Sequence, residues 1–423
     1  MKHTNYRLAL LAISSNIVEW YDFVVFAYLA KLLSILFFTN DQSGQVKVFL
    51  VFGVSYLARP IGSIFFGALS DRNSRALSLK MSLYLMIVCS LLMAVLPTRQ
   101  MLGDISMLIL LFVRLLQGFS AGGELPTLST YIYEAAGPKN RATLTGFVNA
   151  GSLAGVMIGS LTVYCLYSAL GDRGMLVYGW RLAFLVGIIL ALPSLVLLRH
   201  TDLQERKLNR PRVAFMRSYS FPTFLKCISC VAALQVVFYG FFVWMPSYAE
   251  LVLNYPSTTV HLANTLALLT MLVIVSLTSF FLRDRIQTLK TFLCGAALTF
   301  LLLAPAFYLI NHAHSSMVFT LNLIVAAIFV SLMDAPILFI LNSNFEYFNR
   351  GMLVNLAFTI PSVFLGGLTP LILTWLVKSR LAENWWIPAM YISFFLAIGI
   401  IASWSLLSKH PKAAFDTVDQ LSL

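Results

Sequence analysis

Two acidic residues, Glu19 and Asp22, stand three apart in Asn16-Ile17-Val18-Glu19-Trp20-Tyr21-Asp22-Phe23, inside a mostly apolar stretch running from about residue 8 to residue 38. Moving a carboxylate from water into hydrocarbon is costly, so acidic groups at that depth mark a working site rather than an anchor. At i and i+3 they share one helix face, where mutual repulsion favours a shared proton. Two basic residues answer them. Arg59 heads Arg59-Pro60-Ile61-Gly62, and Arg114 opens Arg114-x-x-Gln117-Gly118-x-x-x-Gly122-Gly123-Glu124.

At about 1.5 Å of rise per residue, Arg114 lies roughly 15 Å beyond Asp104, Arg59 roughly 18 Å from both Lys47 and Asp71, and Glu19 roughly 18 Å from Arg7. Three ionisable side chains from three spans therefore share the midplane. They must face one another or a hydrated cavity, since isolated charges there are prohibitive. This chemistry suits proton-coupled binding of an anion. Glu19 is the leading proton carrier, with Asp22, Glu124 and Asp334 as further candidates. Arg59 and Arg114, with Gln117, would attract a substrate carboxylate. A purely structural ion-pair network is the plainer alternative.

The six histidines (His3, His200, His261, His312, His314, His410) fall in loops or at helix ends, so no imidazole is expected inside the membrane. In the second half the candidate site is aromatic: Phe238, Tyr239, Phe241, Phe242 and Trp244, followed by Pro246. Tyr239 and Trp244 would suit a quaternary ammonium or an apolar body, although such clusters more often pack or face lipid. Asn322, Asn342 and Asn355 are weaker polar candidates.

A third constellation is Gly67-x-x-x-Asp71-Arg72-x-x-Arg75 at the end of the second span. Gly67 admits a neighbouring backbone, Asp71 can face the positive end of a helix, and Arg72 and Arg75 can hold carboxylates. It reads either as a gate that forms in one conformation and breaks in another, with Arg141 and Arg350 at the same level, or as an ordinary stop-transfer cluster.

The elements that must position these residues are membrane spans. The chain is 59% hydrophobic and 11% charged, a surface no soluble domain would tolerate. Apolar runs at about 8–38, 46–69, 77–97, 105–128, 143–170, 181–199, 222–250, 261–282, 290–310, 317–341, 353–377 and 388–407 predict twelve transmembrane helices, an all-α integral membrane fold. Their continuity excludes a β-barrel.

The net charge of +12 reflects topology, not nucleic acid: twenty Lys and Arg fall on the side of the N-terminus against six opposite, with Lys31, Arg59 and Arg114 inside the spans. Both termini are expected in the cytoplasm. The first span is too long for a signal peptide and carries two carboxylates. Cys227-x-x-Cys230, without a second pair, reads as packing. Neither metal ligands, a nucleophile with its base, nor a nucleotide loop is present, so an enzyme is not expected and no cofactor is implied.

The polar run from His200 to Ser220 divides the spans six and six. The expected organisation is one bundle over 1–199, a cytoplasmic linker over 200–221, a second bundle over 222–407 and a short tail over 408–423. Arg283-Asp284-Arg285 and Lys290, at the matching place in the second half, weakly echo the Asp71 motif and fit two related halves with a site between them.

Taken in order, Asn16-Ile-Val-Glu19-Trp20-Tyr21-Asp22-Phe23, Arg59-Pro60-Ile-Gly62, Gly67-x-x-x-Asp71-Arg72, Gln117-Gly118-Phe119-Ser120-x-Gly122-Gly123-Glu124 and Gly179-Trp180-Arg181-x-x-Phe184 resemble the major facilitator superfamily, in its metabolite:proton symporter branch, which includes bacterial proline/betaine and α-ketoglutarate permeases. The match spans nearly all of 10–200 and thins after Lys226, with Phe345 and Arg350 as echoes.

The resemblance implies alternating access by two rocking bundles and proton-coupled uptake of a small organic acid or zwitterion across a bacterial inner membrane, by a monomer. It places Gly67, Asp71 and Arg72 in a cytoplasmic gate, and Glu19, Asp22, Arg59, Arg114 and Glu124 in the coupling and binding region. The departures are Ser74 where the gate motif has Gly, Ala76 where a base is common, a second-half copy without its Gly, and a short tail that makes osmotic regulation by a long C-terminal helix unexpected. The rivals are an exporter of drugs or siderophore-like compounds on the same fold and a transport-dead receptor.

Overall fold

The structure, a computed structural model, describes residues 16–38, 42–72, 75–122, 124–200, 220–313, 315–345, 350–378 and 385–408. The gate side chains of Gly67, Asp71, Arg72 and Arg75, the side chain of Glu124, and nearly all of the 200–221 linker lie outside the described residues.

Every described segment is helical or a short connection, because in hydrocarbon each backbone polar group needs a partner within its own segment. The first crossing is α1 (Asn16–Tyr28) and α2 (Ala30–Phe37), bent by 66° at Leu29. The second is α3 (Gln42–Leu57) with α4 (Arg59–Arg72), and the third is α5 (Arg75–Ala94). After the short α6 (Arg99–Leu102), α7 (Ile105–Ser120) and α8 (Glu124–Ala135) make the fourth. The fifth and sixth, α9 (Arg141–Gly174) and α10 (Trp180–His200), run together as one helical stretch that turns at Gly171, whose φ of 61° favours glycine.

The second half continues with α11 (Phe221–Phe238) and α12 (Met245–Leu251), joined by a π-helical turn, as the seventh crossing. Then come α13 (Ser257–Phe281), α14 (Arg285–His312) and α15 (Ser316–Ser343). The eleventh, α16 (Arg350–Pro361) and α17 (Thr369–Lys378), carries another π-helical turn, and α18 (Trp386–Leu407) is the twelfth. Twelve crossings of the described chain return it to the face it left. That face, near Asn16 and Leu407, is called here the terminal face.

Side chains such as Ile64, Leu301 and Ile401 stay outward, as lipid-facing positions should. The halves meet along α9 against α13 and α3 against α17. Within the first half, α3 and α4 touch α7 backbone to backbone. A Cβ on Gly118 would lie 1.8 Å from the Ser55 carbonyl oxygen, and one on Gly62 would lie 1.9 Å from that of Phe119. Small residues permit this approach, which sets Arg59 beside the helix that carries Arg114.

Candidate functional site

Glu19 on α1 and Arg59 at the start of α4 form an ion pair, Oε1 to Nη2 at 3.2 Å, with the two residues only 2% and 7% exposed. The Arg59 guanidinium lies between two rings, 4.3 Å from the centroid of Phe23 and 4.2 Å from that of Tyr56. Phe23 also lies under Arg114, at 4.9 Å, and Phe26 covers the same guanidinium at 4.2 Å. One aromatic residue thus stands between the two cations, its π-face attracting both while limiting their repulsion.

Arg114 is wholly buried, and its Nη1 donates to Gln117 Oε1 at 2.7 Å. Its Nε and Nη2, and Gln117 Nε2, reach no acceptor among the described residues. A buried charged donor without a protein acceptor calls for another partner, because leaving it unpaired is costly. An anion with two coplanar oxygens fits that arrangement, because guanidinium binds carboxylate through two parallel hydrogen bonds. The Oε2 of Glu19 and Nε1 of Trp20 are likewise buried without partners among the described residues.

The structure thus brings together Glu19, Arg59, Arg114 and Gln117. Tyr239 joins them from the second half, its hydroxyl hydrogen-bonded to that of Tyr56 across the seam. Trp20 meets Phe238 edge to face at 6.2 Å, so aromatic groups from both halves close one side of the cluster.

Other expected site residues take partners outside this cluster, in whole or in part. Asp22 shares the helix with Glu19 and accepts from the Ser90 hydroxyl on α5, lying against Gly187, while its charge also acts on Arg114. The two carboxylates at i and i+3 thus take different hydrogen-bond partners beside the same pair of arginines. Trp244 turns away, its Nε1 donating to Thr374 Oγ1 at 3.1 Å and its ring stacked on Tyr248 at 4.8 Å. Asp334 is half-buried on α15; its carbonyl accepts from Asn149 Nδ2 at 2.6 Å, and its carboxylate makes no ion pair among the described residues.

Arg141 and Arg350 both lie over the ring of Tyr133, at 5.1 and 4.9 Å. The second of these reaches from one half to the other at the terminal face. Asn342 Nδ2 also crosses, to Ser129 Oγ at 2.8 Å. Arg285 instead stays within its own half, donating to Asn344 Oδ1 at 2.9 Å and the Leu406 carbonyl at 3.3 Å, while Asp284 caps α14.

Of the two plainer readings of the aromatic run on the seventh crossing, packing holds and lipid exposure does not: all six residues from Tyr239 to Trp244 are buried. The π-helical turn there breaks the 3.6-residue phase, and both flanking helices pack inside. One expectation needs correction, that every imidazole lies outside the buried interior of the spans. His261, in the second turn of α13, is fully buried and its Nε2 lies 3.2 Å from Glu250 Oε1. A short connection folds α12 back on α13 and brings these residues together, which neither position reveals alone.

Sequence reasoning also passed over Phe23, Tyr56 and Ser90. Tyr56 stands three residues before Arg59, a spacing that puts both on one face and offered a usable signal.

The sequence profile of the Major Facilitator Superfamily matches residues 9–364. A putative proline/betaine transporter of Staphylococcus haemolyticus is 31% identical over 96% of this chain and 89% of its own length. The glycine betaine/proline/ectoine/pipecolic acid transporter of Dickeya dadantii is 29% identical over 91% and 80%, and the proline/betaine transporter of Escherichia coli 29% over 93% and 82%. A proton:xylose symporter structure superimposes with a TM-score of 0.76 over 95% of this chain and 96% of that one, at 16% identity, which speaks for the fold alone. The chain belongs to the major facilitator superfamily and is a membrane secondary transporter, not an enzyme, related to proline/betaine carriers.

Proposed function

We propose that the protein imports a small zwitterion, of the imino acid or betaine kind, together with a proton across the bacterial inner membrane, with the terminal face in the cytoplasm. The observation that carries this reading is the buried cluster in which Glu19 holds Arg59 while three donors of Arg114 and Gln117 reach no acceptor among the described residues. A substrate carboxylate takes the Arg114 donors. A proton on Glu19 dissolves its pair with Arg59 and frees a second guanidinium for the same carboxylate, so proton and anion bind best together. The substrate ammonium then lies towards Trp20, Phe238 and Tyr239, whose rings suit a cation without hydrogen-bond donors. When the site opens to the less acidic cytoplasm, Glu19 gives up its proton, recaptures Arg59 and displaces the substrate. The names of the relatives support this substrate class, and the excess of basic residues in segments on the terminal side supports the orientation.

The test is uptake of labelled proline and glycine betaine into proteoliposomes with an inward proton gradient. Accumulation should collapse on adding a protonophore. Glu19→Gln should keep exchange of internal for external substrate and lose uphill accumulation. Unchanged uphill transport by that variant would overturn the assignment of Glu19.

A further inference from the structure

Away from the midplane, towards the face opposite the chain ends, a second ionisable pair is buried. Glu250 on α12 and His261 on α13 are 3.2 Å apart and almost wholly out of water. Both belong to the second half, yet the lid over them comes from the first. Tyr167 of α9 stacks on the imidazole at 5.8 Å, and Tyr28 meets it edge-on at 5.8 Å. Ser160 of α9 donates to the His261 carbonyl at 3.2 Å, and Thr265 and Asn264 of α13 reach the Ser160 hydroxyl in turn. Tyr28 donates across the seam to the Phe242 carbonyl at 3.0 Å.

The charged and titratable groups around the pair are few. Tyr28 faces it from α1 and Tyr167 from α9, with Asp172 near enough to act on Tyr167. Lys31 lies on α2, which packs on α12, but makes no ion pair within 4 Å among the described residues. Tyr248 is the other titratable group of α12, and residues 316–325 of α15 carry none. The Nε2 of His261 and Oε1 of Glu250 are within ion-pair distance without hydrogen-bond alignment, and Nδ1 has no hydrogen-bond partner among the described residues.

We propose that Glu250 and His261 form a second proton-binding site, which holds one proton whenever the opposite face is shut. With one proton the pair is neutral overall, as imidazolium with carboxylate or as imidazole with carboxylic acid. Without it a net negative charge remains, and enclosing that charge between tyrosine rings is unfavourable. When the bundles part on this face, Tyr28, Tyr167 and Ser160 withdraw with the first half, and water reaches the pair. Proton capture there precedes closure, so external acidity favours the shut state before the midplane site is involved. The inference rests on alternating access but on no particular substrate.

The test follows opening of that face without substrate. The full chain, with its five native cysteines replaced and spin labels at Arg173→Cys and Asn254→Cys, is placed in lipid nanodiscs, and the label–label distance is recorded by pulsed dipolar EPR against pH. The short-distance population should grow as pH falls, by at most about tenfold per pH unit, the limit for one proton. Glu250→Gln with His261→Gln should flatten that response. His261→Gln alone leaves a lone carboxylate without its basic partner and should change the response from that of the parent. A parent profile retained in either variant, or a parent distance indifferent to pH, would overturn the lock. Because no substrate is added, failed proline or betaine uptake with a pH-dependent distance would count against the transport reading and not against this one.

Discussion

Arg114 concentrates the chemistry of the site, since it lies fully buried between Phe23 and Phe26 with two donors left over. Lysine would keep the charge but replace a planar fork with a point donor that cannot span two carboxylate oxygens. Removing one partner of a buried charged hydrogen bond costs about 2–5 kcal/mol. Arg114→Lys should therefore weaken proline or betaine binding by roughly thirtyfold or more, read by equilibrium dialysis of the purified protein. Glu19→Gln should bind at least as tightly as the parent, since it mimics the proton-loaded state. Equal affinity in Arg114→Lys and the parent would remove Arg114 from the site.

The placement of these residues was legible at the level of single residues. Glu19, Arg59 and Arg114 sit in otherwise apolar spans, where a charge needs a reason, and counting rise per residue placed them at one depth. Trp244 was not legible, because its direction depends on a π-helical turn that composition does not announce. Glu250 and His261 lie near the ends of their helices, where charged groups are unremarkable in sequence. Only the folded connection between α12 and α13 makes them a pair.

At the scale of elements, the site depends on how closely α3 and α4 approach α7. Gly118 lies over the Ser55 carbonyl, one turn from Arg59, so any side chain there must push the two crossings apart. Overpacking of this kind costs about 1–3 kcal/mol. Gly118→Ala should lower the melting temperature in detergent and reduce transport together, because the shift separates Arg59 from Arg114. Gly137→Ala is the matched control: a Cβ there meets nothing within 4 Å, and its φ of −62° suits any residue. Equal melting of the two variants would mean that the contact between crossings is slack.

Helix number and order were readable from apolar run length, while the 66° bend at Leu29 was not, since neither proline nor glycine marks it.

Across the whole molecule, polar contacts join the two halves at three levels. Asn342 to Ser129, with Arg350 on Tyr133, lies at the terminal face. Tyr56 to Tyr239 lies at the midplane, and Tyr28 to Phe242 with Ser160 to His261 lies towards the opposite face. A carrier held at both faces cannot exchange its site with either compartment, so transport requires the sets of contacts to open in turn. Locking one set should block net movement while leaving the other side accessible.

Ser129→Cys with Asn342→Cys, in a background without native cysteines, places two thiols where a 2.8 Å hydrogen bond now joins α8 and α15. Oxidation should abolish proline or betaine uptake, and reduction should restore it. Substrate binding to inside-out and right-side-out vesicles should then separate, with only the side facing the opposite surface retaining affinity. Uptake that survives complete cross-linking would show that the terminal face does not open along the α8–α15 seam, and the rocking of two halves would have to be replaced by a movement confined to one of them.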